Sequence, residues 1–474
     1  MKFGTSGLRG LSVDLMGRSS ALYATAFAQH LLASGRAEIG DAILVGRDFR
    51  DSSPAIAATC IGALARAGLS PVDCGTLPTP ALAFYGLAID AASLMITGSH
   101  IPADRNGIKF YRPNGEIDKD DEVAISNLAA EIERNDAALS IEPASAEDHA
   151  ARCLELFYER NTELLPADVL AGLKVGVYQH STVARDLMVD VLAHGGAEVI
   201  ALGRSESFIP VDTEAVSTET VELLRKWAVE YGLDAIVSAD GDGDRPLVAD
   251  ERGEPLRGDL LGLIAANFLG AEIVVTPVTS NSGIEAAGSF EVVRTRVGSP
   301  YVIAGMNEAI AKGRENVMGF EANGGVLTAS DFTIRDQSFR ALPTRDSFLP
   351  VLATLLLAAA QKRPLSEIAA GYAMPFAMAD RLQDFPIETS AALMAHLRES
   401  DGNLAAFLAP IGTVAHKSDI DGLRVTLSDA RIIHFRPSGN APEMRCYVEA
   451  KTEHSAAELL RQGLARIQEW AKQQ

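Results

Sequence analysis

Cysteine is scarce, and the four present (Cys60, Cys74, Cys153 and Cys446) form no CxxC pair. That excludes a disulfide framework and predicts a reducing, cytoplasmic setting. Long apolar runs are missing as well. No stretch approaches the ~18 residues of a membrane span. The opening MKFGTSGLRG lacks the apolar core of a signal peptide, so neither a span nor a leader is expected. Basic residues are outnumbered, 42 Lys and Arg against 63 Asp and Glu, for a formal net charge of −21. A chain of that sign is a poor partner for nucleic acid or an anionic membrane. It can still take an anionic small substrate, because a local basic cluster overrides the global sign. Low-complexity segments are also absent.

What is present is a 474-residue chain with 47% apolar residues, enough for several packed cores. Strand and helix patterns alternate from the start. The stretch 19–35 is helical by spacing, 42–48 is a short apolar strand, 52–68 is helical again, and 93–100 is a buried strand. This order predicts a parallel sheet with crossover helices. It recurs from LKVGVYQ to DAIVSADGDGDR, and again from DLLGLIAANFLG onward. The last hundred residues alternate instead, which predicts antiparallel strands closed by a terminal helix. The fold class expected is α/β: three similar mixed-sheet units, residues 1–145, 146–252 and 253–368, plus an α+β domain, 369–474, around a central cleft. Ligands of open α/β sheets bind at the carboxyl ends of strands.

Five stretches carry chemistry. SADGDGDRPLV places Asp240, Asp242 and Asp244 directly after an apolar strand. Three carboxylates so close repel one another, and all-oxygen ligation suits Mg²⁺ or Ca²⁺. An EF-hand would need glycine at its sixth position, where Arg245 stands, and helices at its flanks. A plain acidic turn is the competing reading. FRPSGNAPEMR offers Arg436, Ser438, Gly439, Asn440 and Arg445, a basic turn able to hold a phosphate or simply to close a hairpin. The opening FGTSGLRG offers Thr5, Ser6 and Arg9, and VGRDFRDSS offers Arg47 and Arg50, arginines of the kind that often pair with neighbouring aspartates in a helix cap. MITGSHIPADRNGIKFY presents Ser99, His100 and Lys109. No G-x-S-x-G elbow surrounds Ser99, and an adjacent histidine usually points elsewhere, which argues against a serine hydrolase.

Together these pieces resemble the α-D-phosphohexomutase superfamily. TGSHIP is similar to its active-serine loop, DGDGDR to its metal loop, FEANGG (320–325) to its sugar loop and RPSGNAPEMR to its phosphate loop, in the family order. The resemblance implies that Ser99 is carried as phosphoserine and completes a Mg²⁺ site with Asp240, Asp242 and Asp244. It implies charge stabilisation by Arg245 and Arg9, and proton transfer by Lys109 with His100. Glu321 and Asn323 would read the sugar, and Arg436, Ser438, Gly439, Asn440 and Arg445 would hold the phosphate that is not reacting. The expected reaction is mannose 6-phosphate to mannose 1-phosphate through a hexose 1,6-bisphosphate, which also serves as activator. Glucose and glucosamine phosphates are the alternative substrates. A metal-dependent sugar phosphatase and a non-catalytic sugar-phosphate binder are the competing functions. The chain departs from the family pattern at Asn323, where serine is usual, at Gly325, where histidine often sits, and in RTRVGSPYV, which has no histidine. A monomer or weak homo-oligomer is expected.

Overall fold

The computed structural model describes residues 2–4, 7–135, 139–438 and 442–473. By compactness these fall into two units. One comprises 1–275, 289–291 and 298–371, and the other 276–288, 292–297 and 372–474.

The first unit carries three sheets. The first has eight strands, and its centre matches the parallel crossover expected: Ala42–Arg47 runs parallel to both Ser70–Thr76 and Ala92–Ile96. Beyond that centre the sheet turns mixed. Arg105–Arg112 pairs antiparallel with Ala92–Ile96, and Gly7–Leu11 pairs antiparallel with Arg105–Arg112. Helices Arg18–Ala33 and Ser53–Arg66 bury their apolar stripes with these strands, in a core that includes Phe27, Ile56, Leu94 and Phe110. The rings of Phe27 and Phe110 meet edge-on at 5.0 Å.

In the second sheet Lys174–Tyr178 lies between Glu198–Leu202 and Ala235–Ala239, parallel to both, and Pro246–Ala249 closes one edge antiparallel. In the third, Val317–Phe320 runs parallel to Ile273–Val275 and antiparallel to Val326–Thr328. Ala92–Ile96, Ala235–Ala239 and Val317–Phe320 are buried along their whole length. That burial explains their unbroken apolar character. Each ends directly at a stretch that the sequence singled out: Thr97 to Ser99, Asp240 and Glu321.

The second unit has the antiparallel sheet expected, in the order Phe376–Leu382, Met444–Ala450, Ile432–Pro437, Leu423–Leu427, Val414–Ser418. Glu453–Ala471 supplies Leu459 and Ile467 to its core. Pieces of the expected third domain belong to this unit. Ser282 N and Oγ both donate to Glu449, and Asn281 Nδ2 donates to Pro375 O at 2.8 Å. Among the described residues no helix is long and apolar enough to cross a membrane.

Candidate active site

The serine loop starts where Ala92–Ile96 ends. Ser99 is 1% exposed and has a left-handed backbone, φ +56°. A non-glycine residue holds that conformation only where its surroundings enforce it. The enforcing groups are Thr97 and Arg50. Thr97 Oγ1 accepts from Ser99 N at 2.8 Å and donates to Asp48 Oδ2 at 2.8 Å. Arg50 donates to the carbonyls of Ser99, Ile101, Pro102 and Arg105 at 2.7–3.0 Å and, through Nε, to Asp48 at 3.1 Å. All five guanidinium donors are thus used, and the ring of Phe208 covers its face at 3.9 Å. Gly98 has to be glycine here, since a Cβ would meet the Arg50 guanidinium at 2.8 Å. The helix-cap pairing of Arg50 with Asp48 is therefore real, but it is one part of a loop clamp. Arg47 pairs instead with Asp73, at 2.7 Å.

The aspartate loop meets this serine. Ser99 Oγ donates to Asp240 Oδ2 at 2.5 Å, across 141 residues of sequence. The ligand oxygens of Asp240, Asp242 and Asp244 lie within 4.8 Å of one another, the one such cluster among the described residues. All three residues are fully buried. Lys109 Nζ donates to Asp242 Oδ2 at 2.5 Å and to Asp244 Oδ2 at 2.6 Å, and Thr79 Oγ1 donates to Asp242 Oδ2 at 2.6 Å. Burial and the repulsion of Asp242 and Asp244 push the Asp240 carboxyl well above its ordinary range. Burial also opposes the Lys109 ammonium, but Asp242 and Asp244 outweigh it, so the amine is held charged above its usual value. The Oδ1 atoms of Asp242 and Asp244 are buried without a hydrogen-bond partner. Orphaned carboxylate oxygens at that depth are costly unless a cation takes them. The donor set is all oxygen, so the residues fit a hard divalent ion such as Mg²⁺.

His100 does not turn away from Ser99. The left-handed turn folds it back, with Nδ1 3.2 Å from Ser99 Oγ and 2.8 Å from Arg245 Nη1. Burial and the Arg245 charge lower its pKa to about 4, so the ring is neutral near pH 7. Arg9 joins this cluster of cations, where burial, Arg245 and Arg345 lower its pKa to about 10. Thr5 and Ser6 lie outside the described residues.

Glu321 is 6% exposed and faces Arg345, whose Nη1 donates to Glu321 Oε2 at 3.0 Å. Arg345 Nε donates to Asp244 Oδ2, also at 3.0 Å. Asn323 serves its own loop, because its Oδ1 accepts from Gly325 N at 3.0 Å. Only its amide N–H groups are left to donate to a ligand. Arg345 and Thr79 were missed in the sequence. Thr79 opens an apolar helix and Arg345 sits in the short mixed strand LPTRD, and neither belongs to a motif that gives a local signal.

In the second unit Arg436 and Arg445 sit directly opposite each other on paired strands, and Arg381 sits opposite Arg445 on the other side. Opposed residues of an antiparallel pair share a face. Arg436 Nε is 3.0 Å from Asp421 Oδ1, Arg445 Nη2 is 3.4 Å from Glu443 Oε2, and Arg381 Nε is 3.6 Å from Glu443 Oε1. Ser438 N donates to Glu443 O at 2.9 Å. Gly439 and Asn440 lie outside the described residues. Three like charges in a row are unfavourable unless anions sit beside them, and two carboxylates are fewer than the row can hold. Arg381 is the member that the motif did not reveal.

A buried serine turn, a buried carboxylate trio and a flanking set of arginines come together on a multi-domain α/β scaffold, an arrangement suited to phosphoryl transfer. Profiles of the phosphoglucomutase/phosphomannomutase family match in order: alpha/beta/alpha domain I over 1–136, domain II over 155–253, domain III over 257–374 and the C-terminal domain over 385–467. The chain belongs to this family. It is 57% identical over 464 residues to a phosphomannomutase of Sinorhizobium fredii, covering 98% of each chain. It is 42% identical over 475 residues to a phosphomannomutase of Salmonella muenchen, covering 98% of this chain and 95% of that one. A phosphoglucomutase/phosphomannomutase family protein from Burkholderia thailandensis shares the fold, with a TM-score of 0.77 at 22% identity, over 99% of this chain and 97% of that one.

Proposed function

We propose that this chain interconverts mannose 6-phosphate and mannose 1-phosphate through phosphoserine at Ser99 and a hexose 1,6-bisphosphate. The observation that carries the reading is the Ser99 Oγ–Asp240 contact of 2.5 Å, which sets the acceptor of the phosphoryl group against the carboxylate trio. The two relatives' name is the reason for choosing mannose over glucose or glucosamine.

Phosphoserine gives its phosphoryl group to a free hydroxyl of the hexose monophosphate: the Oγ–P bond breaks, a sugar O–P bond forms, the hydroxyl proton passes to a base, and Ser99 Oγ takes up a proton in return. The bisphosphate turns over in the site. Ser99 then takes the other phosphoryl group: the sugar O–P bond breaks, the Oγ–P bond forms, the sugar oxygen takes up a proton, and the Ser99 proton leaves to Asp240 Oδ2 at 2.5 Å or to neutral His100 Nδ1 at 3.2 Å. The proton transfer expected of Lys109 falls to neutral His100, because Lys109 is an ammonium pinned between Asp242 and Asp244; it supplies charge neutralisation, as do Arg245 and Arg9. Positioning and charge neutralisation are most of what phosphoryl transfer requires. Asp240, Asp242, Asp244 and a Ser99 phosphate oxygen would hold Mg²⁺, which when bound supplies further neutralisation of the transferring phosphate. Glu321 would accept from two sugar hydroxyls. The row Arg436, Arg445 and Arg381 would hold the phosphate that is not reacting, with Ser438, Gly439 and Asn440 completing that loop.

The test is a panel of mannose, glucose and glucosamine 1-phosphates with a trace of the matching 1,6-bisphosphate, read for both isomer and free phosphate. The highest kcat/KM on mannose 1-phosphate supports the proposal. A tenfold preference for another sugar changes the substrate, and net phosphate release without isomer replaces the mutase with a phosphatase.

A further inference from the structure

Arg345 is the penultimate residue of the strand Leu342–Asp346 and is 2% exposed. Its guanidinium joins two loops that are far apart in sequence. Nε and Nη2 both lie 3.0 Å from Asp244 Oδ2, and Nη1 donates to Glu321 Oε2 at 3.0 Å. The Asp244 oxygen that it takes is also the one held by Lys109, while Oδ1 has no hydrogen bond and only the Arg245 Nε charge at 3.8 Å beside it. Glu321 is divided in the same way: Oε2 is bound to Arg345. The side chain reaches this position past a glycine. A Cβ on Gly325 would meet Arg345 Cδ at 2.7 Å and Cγ at 2.8 Å. The missing side chain at 325 and the arginine at 345 are therefore one feature, because the stem of Arg345 fills the room that a side chain at 325 would occupy.

We propose that Arg345 is a positioning residue for sugar recognition, which fixes Glu321 through Oε2 so that Oε1 faces the sugar hydroxyls, and which ties that carboxylate to the aspartate loop. The proposal rests on Glu321 being the sugar acceptor. A planar fork can serve two carboxylates at a fixed angle, and a lysine ammonium cannot reproduce that geometry. Left alone, Glu321 would be a buried carboxylate without a fixed orientation, and it would lose both charge compensation and aim.

The test measures mannose 1-phosphate binding by calorimetry, without metal, in the Ser99→Ala background, so that turnover plays no part. Arg345→Met is expected to weaken binding at least tenfold. Glu321→Gln with Arg345→Met together should be no weaker than Glu321→Gln alone, because one acts through the other. Arg345→Lys should restore the unfolding midpoint without restoring affinity. Gly325→Ala keeps every charge but displaces the Arg345 stem, and should also weaken binding, which covers the case of an Arg345→Met variant that does not fold. Affinity within twofold of the parent in Arg345→Met, or in Gly325→Ala where Arg345→Met does not fold, overturns the proposal, as do losses that add in the double variant. If Glu321→Gln alone leaves binding unchanged, the reading of Glu321 fails and takes this inference with it.

Discussion

At the scale of single residues, the account turns on which atoms share a proton or a charge. Ser99→Ala is expected to reduce mutase turnover by at least ~10³-fold, since the covalent route is lost while sugar-phosphate binding remains. Asp242→Asn keeps the shape of the loop but removes one charge from the trio, and should raise the Mg²⁺ concentration needed for half-maximal activity by tenfold or more. Full activity at unchanged Mg²⁺ would contradict the assignment. Arg50→Ala would free four loop carbonyls and uncover Phe208. Its kcat should fall more than its KM rises, because the clamp holds the nucleophile and does not touch the ligand. Residues in consecutive motifs were legible: Asp240, Asp242 and Asp244 announce themselves as a cluster of repelling charges. Arg345, Thr79 and Arg381 were not legible, because their meaning comes from strands and loops more than a hundred residues away or from a cross-strand register. His100 was misread because adjacency was taken to separate side chains, and the left-handed turn at Ser99 folds them together.

At the scale of elements, three buried strands each end at one part of the candidate site: the Ser99 turn, the carboxylate trio and Glu321. Their apolar runs and the turn residues after them were readable, so most helix and strand positions agree with the spacing to within a few residues. The antiparallel additions Gly7–Leu11 and Arg105–Arg112 were harder to read. A short strand that pairs across a sheet has no local mark of its direction. Arg105–Arg112 also places Lys109, which sits on a central strand and is 4% exposed. The arginine row of the second unit is an element-level device. Arg381→Ala should raise KM for mannose 1-phosphate about threefold to tenfold with kcat nearly unchanged, whereas Arg436→Ala should raise it further. A change in kcat alone would remove Arg381 from phosphate binding.

At the scale of the whole molecule, two fully buried histidines join His100 in setting the response to acid. Burial lowers the pKa of His180 to about 4, with Nε2 donating to Ala239 O at 2.8 Å. Burial likewise lowers His434 to about 4, beside Arg424 and Arg436. Both folded values lie below the ~6.5 of an unfolded histidine, so between those limits the unfolded chain binds more protons. Stability is therefore whole above pH 6.5 and declines as pH falls toward 4, by roughly 1 kcal/mol per pH unit for each histidine. Urea unfolding should show that decline already at pH 5.5, above the range where most carboxylates titrate. A flat profile from pH 7 to 5.5 would contradict it. The grouping of residues 276–288 and 292–297 with the last hundred residues was not legible, because it depends on contacts such as Ser282 with Glu449.

The central claim is that the phosphoryl group rests on Ser99 between donor and acceptor. Intact mass with peptide mapping, after incubation with hexose 1,6-bisphosphate and Mg²⁺, tests it most directly. The account expects an added mass of about 80 Da on Ser99 that disappears, one for one, into bisphosphate when mannose 6-phosphate is added. An unmodified Ser99, or an adduct mapped elsewhere in a preparation with mutase activity, would contradict it.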